Sequence, residues 1–287
     1  MIRFGTCSWK YDSWHGLVYS GKTKKNYLRE YSLKFPTVEI DQWFWSLFGV
    51  DKVSLPAEKV VREYTDSVSD DFKFTIKVPN SVTLTHFYRK SKTVPLEPNP
   101  HFLSNRLMNN IIETLSYMHP KIGILMFQFE YLNKQKMASM DEFFEKFGEF
   151  IRQCPSDFNY GIEIRNPNYL KPAYFKFLND HTLGHVFLQG YYMPSISDIY
   201  VNFWNSIQKF TVIRLHGPDR SDIEKKSKGI WDSIIEPKDS ELAQITRIIQ
   251  ELDDKNLDVY VNVNNHYEGS APLTIERIRD LMTNSPR

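Results

Sequence analysis

Ile162-Glu163-Ile164-Arg165 closes an apolar run that begins at Phe158, and its alternation decides how the chain is read. In an extended strand, successive side chains point to opposite faces. Ile162 and Ile164 therefore share one face, and Glu163 and Arg165 share the other. Such a strand is covered on one side and opens onto something polar on the other. The pattern recurs along the chain. Val38 and Ile40 set Glu39 and Asp41 on the opposite face. Phe74, Ile76 and Val78 do the same for Thr75 and Lys77. Ile213 and Leu215 do so for Arg214 and His216, and Val261 and Val263 for Asn262 and Asn264. Three further runs alternate less cleanly, and there Trp9, Gln128 and Gln189 are assigned to the charged face.

Eight apolar or alternating runs carry these residues: Ile2–Trp9, Phe35–Phe44, Asp71–Val78, Ile122–Phe129, Phe158–Arg165, Gly184–Gln189, Phe210–His216 and Leu257–Asn264. Most are rich in Val, Ile, Phe and Tyr, as strands are. Helical spacing fills most intervals, at Lys24–Lys34, Pro56–Ser69, Phe102–Met118, Met137–Gln153, Pro172–His181, Asp239–Asp254 and Pro272–Met282. Ser195–Ser206 is the candidate helix between the sixth and seventh runs. Strand and helix alternate with no Gly/Ser-rich linker and no GxGxxG turn after the first run. The expectation is an α/β chain forming one domain over 1–287, a (β/α)8 TIM-like barrel of parallel strands with outer helices. Two long connections stand out, Pro79–Lys121 and Gly217–Pro237. The charged stretch Asp219–Lys228 reads as a solvated loop.

Composition narrows the function classes. With 36 basic and 35 acidic residues the net charge is +1, so a global electrostatic footprint for nucleic acid is missing. The two cysteines, Cys7 and Cys154, form no disulfide scaffold, and no bridge between them is expected. No apolar leader-like run opens the chain and no run reaches membrane-span length. A cytoplasmic protein without a membrane partner is expected.

In a barrel the inward positions are ordinarily bulky and apolar. Here charged and amide groups occupy them in the C-terminal halves of five strands, where barrel enzymes build their sites. An unpaired buried charge costs several kcal/mol, roughly, so these groups must pair, meet water or hold a ligand. Glu39 and Glu163 are candidate bases, with His216 or His86 as proton partners. Lys77, Arg165 and Arg214 suit a phosphate or carboxylate. Asn262, Asn264, Asn265, Asp41 and Gln128 suit substrate oxygens, and Trp9, with Trp14, a stacking wall. An anion bridging Arg165 and Arg214 beside His216 is expected. No cofactor is called for. A divalent cation on Glu39, Glu163, His216 and His86 is the alternative, opposed by the two arginines and by the lack of HExxH or a Cys/His cluster. The bland alternative is an ion-pair ring that only sets the fold.

The same segments carry a family resemblance. Gly5-Thr6-Cys7-Ser8-Trp9, then Trp14-His15-Gly16 and Tyr19, is similar to the opening of DUF72 (YecE-like) proteins. Thr37-Val38-Glu39-Ile40-Asp41 with Phe44, Phe74-Thr75-Ile76-Lys77-Val78-Pro79 with Thr85-His86, and Leu125-Met126-Phe127-Gln128-Phe129 resemble its next motifs. Ile162-Glu163-Ile164-Arg165, Arg214-Leu215-His216-Gly217 and Asn264-Asn265 follow in order. The resemblance implies a barrel and leaves the reaction open. Asp41 stands where Asn is expected, and Leu188-Gln189-Gly190 where an Asp is usual.

The expected partner is thus a small anionic or polyhydroxylated molecule, handled by an acid/base enzyme of hydrolase or lyase type or held by a non-catalytic sensor. The rival is a nucleic-acid-binding, repair-nuclease-like barrel. Its basic rim would be Lys22, Lys24, Lys25, Arg89, Lys90, Lys92, Arg220, Lys225, Lys226 and Lys228, with Tyr11, Trp14, Phe87, Tyr88 and Trp231 to stack bases.

Overall fold

A computed structural model describes residues 1–21, 26–50, 52–89, 91 and 93–284. The strands are β1 Ile2–Thr6, β2 Thr37–Ile40, β3 Leu47–Gly49, β4 Lys52–Val53, β5 Lys73–Lys77, β6 Ile122–Phe129, β7 Tyr160–Ile164, β8 Gly184–Gly190, β9 Phe210–Gly217 and β10 Asp258–Val263. Among the described residues β1, β2 and β5 to β10 close into one barrel, in the order β1-β10-β9-β8-β7-β6-β5-β2. Every barrel pair is parallel. This is the (β/α)8 architecture that the alternating pattern predicts. β3 and β4 form a small antiparallel hairpin outside the barrel, in the connection after β2. Their runs are too short to carry a periodicity.

The helices are α1 Tyr27–Ser32, α2 Glu58–Asp66, α3 Asn80–Thr83, α4 Asn105–Thr114, α5 Met140–Arg152, α6 Pro172–Asp180, α7 Ile196–Phe203, α8 Arg220–Ser227, α9 Asp239–Asp254 and α10 Ala271–Asn284. Their starts follow local chemistry. Ser104 and Ser139 accept from backbone N–H groups to cap α4 and α5. Pro172 begins α6, where its missing N–H costs nothing. Ser195 caps α7, the helix expected between the sixth and seventh runs. The expected first helix, Lys24–Lys34, is observed as Tyr27–Ser32, and positions 22–25 lie outside the described residues. The stretch read as a solvated loop, Asp219–Lys228, instead holds α8, capped by Asp219. Its only buried apolar residue is Ile223, so it shows no apolar stripe.

Two cores result. The outward faces of the strands pack on the helices, as where Phe127 and Phe129 meet Phe143, Phe147 and Phe150 of α5. Inside the barrel, Ile124, Met126, Val186, Val212, Phe210 and Tyr260 form a separate apolar plug. Gly123 makes room for one of its rings, since a Cβ there would stand 2.6 Å from the Tyr260 hydroxyl. Gly184 likewise makes room for Phe210. The plug fills the N-terminal part of the barrel. Inward positions beyond it, toward the strands' C-terminal ends, are free to be polar. No helix among the described residues is long and apolar enough to cross a membrane.

Candidate functional site

Strand parity delivers Glu39, Thr75, Glu163, Arg214 and Asn262 to the barrel axis just above the apolar plug. All five are buried. Arg214 on β9 reaches across the barrel to β2, where Nε donates to Glu39 Oε2 at 2.8 Å and Nη2 donates to Oε1 at 2.6 Å. Its Nη1 donates to Glu163 Oε2. Glu163 in turn accepts from Arg165 Nε at 2.9 Å. Asn262 donates to Thr75 Oγ1 at 2.8 Å and to Glu39 Oε2 at 3.2 Å. Burial alone would raise the Glu163 carboxyl, but Arg214 and then Arg165 outweigh it and hold it down at about 2. Glu163 is thus a fixed anion and a poor base. Glu163 bridges the two arginines.

Above this layer lies a cavity of about 410 Å³. Its wall includes Asp41, Lys77, Gln128, Glu130, Arg165, Arg214, His216, Arg220, Asn264 and His266, and the rings of Tyr11, Phe44, Trp45, Tyr88 and Tyr191. Asp41 and Lys77 leave adjacent strands at the same height, since Ile40 pairs with Ile76. Burial first, and then Glu39, push the Asp41 carboxyl up to about 6. Burial first, and then Arg214, bring the Lys77 ammonium down to about 8. Both therefore titrate near neutrality, which suits proton transfer.

His216 lies between Cys7, at 3.5 Å from Nε2, and Tyr191, whose hydroxyl is 3.3 Å from Nδ1. Burial, and then Arg214, keep its pKa well below the ordinary imidazole range, so it is neutral at pH 7. Cys7, Glu39 and His216 bring ligand atoms within 4.8 Å of one another. Glu39 is already held by the Arg214 fork, so a cation there would have to displace a guanidinium. Glu163 is engaged in the same way. The expected metal set of Glu39, Glu163, His216 and His86 is not assembled, because His86 stands off the cavity wall with Nδ1 on Thr85 Oγ1.

Other expected positions also move. Trp9 is not part of the mouth: it is buried edge-on against Tyr64 of α2, three residues past the end of β1, where strand alternation no longer holds. Trp14 is buried too, with Nε1 donating to the Trp231 carbonyl. Gln189 points outward, accepting from the Ile196 amide and donating to Glu241 of α9. Its neighbour Leu188 takes the inward parity of Val186. Asn265 accepts from the Ala271 amide at the start of α10, and so secures a helix rather than lining the cavity. Asn264 does line it, with Oδ1 on the His266 amide. The sequence reading missed Cys7, Glu130, Tyr191 and His266. Of these, Cys7 lies within a quoted motif and Glu130 and His266 each directly follow one, whereas Tyr191 carried no such signal.

The model for a protein of unknown function, DUF72, matches residues 3–287. The chain belongs to the DUF72 family. It is 24% identical over 169 residues to the UPF0759 protein YecE of Escherichia coli K12, a match covering 59% of this chain and 50% of that relative. The match thus spans about half the length of that curated relative. Among solved structures, DUF72 family proteins of Enterococcus faecalis V583 and Thermotoga maritima MSB8 each align with TM-score 0.68. The first is 18% identical over 100% of this chain and 97% of its own. The second is 19% identical over 99% and 100%. These two share the fold.

Proposed function

We propose that this family member is an enzyme that binds a small anionic or polyhydroxylated molecule in the mouth cavity and moves protons on it, with Asp41 and Lys77 as the titrating pair. One observation carries this reading: a cavity of about 410 Å³, a size that suits a small ligand, in which these two groups sit side by side at the C-terminal ends of β2 and β5. The rest of the wall supplies recognition. Arg165 and Arg220 offer positive charge to a carboxylate or phosphate. Gln128 is buried, and its Oε1 has no protein partner among the described residues, so it suits a ligand hydroxyl. Neutral His216 can accept or donate. Glu39 and Glu163, expected as bases, become in this reading the scaffold that holds Arg214.

The test is thermal unfolding with phosphate, sulfate, simple carboxylates and sugar acids. A ligand at a hundred times its dissociation constant stabilises by about 2.7 kcal/mol. That is a rise of about 4–5 °C for a chain of this size. Stabilisation by at least one of these compounds, reduced in Arg165→Met, is expected. A wild-type protein that none of them stabilises at tens of millimolar overturns the reading.

A further inference from the structure

Among the described residues four cations line the cavity: Lys77, Arg165, Arg214 and Arg220. Three are held by carboxylates, Arg165 by Glu163, Arg214 by Glu39 and Glu163, and Arg220 by Glu224. Lys77 differs. Among the described residues no hydrogen bond or ion pair ties its Nζ, which lies over the Phe44 ring at 4.0 Å from the centroid. It is half-buried at a strand end and reaches the cavity. An ammonium kept only for its charge would be placed against a carboxylate. An amine on an apolar ring, with an acid beside it and open space ahead, is arranged to react. We propose that Lys77 is a nucleophilic amine that forms an imine with a small carbonyl compound bearing a carboxylate. This rests on the small-molecule reading above and narrows its substrate class.

The step balances without an oxidant or reductant. The neutral Nζ lone pair forms the bond to the carbonyl carbon, and the C=O π pair passes to oxygen, which takes a proton from Asp41. The nitrogen returns a proton to the Asp41 carboxylate, Asp41 passes that proton to the new hydroxyl, and the nitrogen lone pair then expels water to leave a protonated imine beside ionised Asp41. Water reverses the sequence. Arg165 and Arg220 face the same cavity and would hold the substrate carboxylate. Neutral amine is needed, and the groups that set its supply are Arg214 on β9, Glu39 and Asp41 on and after β2, and Glu163 on β7. With Lys77 titrating near 8, its free-amine fraction at pH 7 is roughly a hundred times or more that of an ordinary surface lysine.

The experiment treats the full chain with pyruvate or glyoxylate and cyanoborohydride at pH 7, followed by peptide mapping. Reductive labelling is expected at Lys77 at least tenfold faster than at any other lysine, rising through pH 8 and absent from position 77 in Lys77→Arg. The wild-type site distribution decides even where that variant folds poorly. Labelling spread evenly over the lysines, or none at Lys77, overturns the proposal. If carboxylates still raise the unfolding temperature while Lys77 stays unmodified, the imine fails and the acid/base reading stands. If there is neither stabilisation nor adduct, both fail.

Discussion

At the scale of the residue, the interior charges divide into a fixed group and a titrating group. Arg214 with Glu39 and Glu163 is the fixed one. Removing one partner of a buried ion pair leaves an uncompensated charge and costs about 3–5 kcal/mol. Glu163→Gln is expected to lower stability by about that amount in urea unfolding at pH 7. Its pH dependence has a definite sign. The folded carboxyl titrates at about 2, below its ordinary 4.5. Its stabilising contribution is therefore full above pH 4.5 and lost as pH falls toward 2, a loss absent from the Gln variant. Asp41 runs the other way. Its folded pKa of about 6 exceeds the ordinary 3.8, so its contribution is present below 3.8 and lost as pH rises through 6. Asp41→Asn should gain about 1–2 kcal/mol at pH 7, after discounting for partial exposure, and nothing at pH 4. An Asn variant less stable than wild type at pH 7 would contradict the burial argument. That these residues face inward was legible in the alternation of their own strands. That Glu163 neutralises both arginines was not, because the pairing depends on distances between strands far apart in sequence.

At the scale of the element, the end of β8 and the turn after it carry strained backbone near the site. Gly190 has φ +126°, and Tyr191 and Tyr192 follow at φ 52° and 63°. Two consecutive non-glycine residues in the left-handed region cost free energy that the surroundings must offset. Tyr191 gains contacts in return, over the Arg165 guanidinium at 4.8 Å and beside His216. Tyr192 is 98% exposed and has no such compensation. A side chain at Gly190 would meet the Gly217 backbone as well as the strained φ. Gly190→Ala is expected to destabilise by about 1–3 kcal/mol and to weaken ligand-induced stabilisation, since it displaces Tyr191. Unchanged unfolding and ligand response would remove this loop from the site. Elements of this kind escape a reading by periodicity. The strands announce themselves through alternation, and most helices through an apolar stripe. The β3–β4 hairpin, α8 and the Tyr191 turn have neither, yet α8 brings Arg220 and the turn brings Tyr191 to the cavity.

At the scale of the whole molecule, the barrel follows from repeated agreement between strand parity and helix spacing over nearly the entire chain. The choice of ligand class turns instead on where surface charge is spent. A surface that follows a phosphate backbone needs cations free to release counterions. On α8, Lys226 pairs with Asp222 at 2.6 Å and also meets Glu236. Lys136 is held by Glu130 at 2.5 Å. These cations are matched by neighbouring carboxylates, in keeping with a net charge of +1. Lys22, Lys24, Lys25, Lys90 and Lys92 of the expected basic rim lie outside the described residues. Of the expected stacking rings, Trp14 and Trp231 are buried and Phe87 is half-buried away from the cavity wall, leaving Tyr11 and Tyr88 on it. Nonspecific nucleic-acid binders reach dissociation constants of about 10⁻⁴–10⁻⁶ M at physiological salt. This barrel is expected to show no saturable binding to a labelled single-stranded oligonucleotide at micromolar protein and about 0.15 M salt. Anisotropy titrations at two or more salt concentrations check it. Micromolar binding that weakens steeply with salt, with a log–log slope of several, would overturn this expectation. It would move the cavity from a small-molecule site to the end of a nucleic-acid groove.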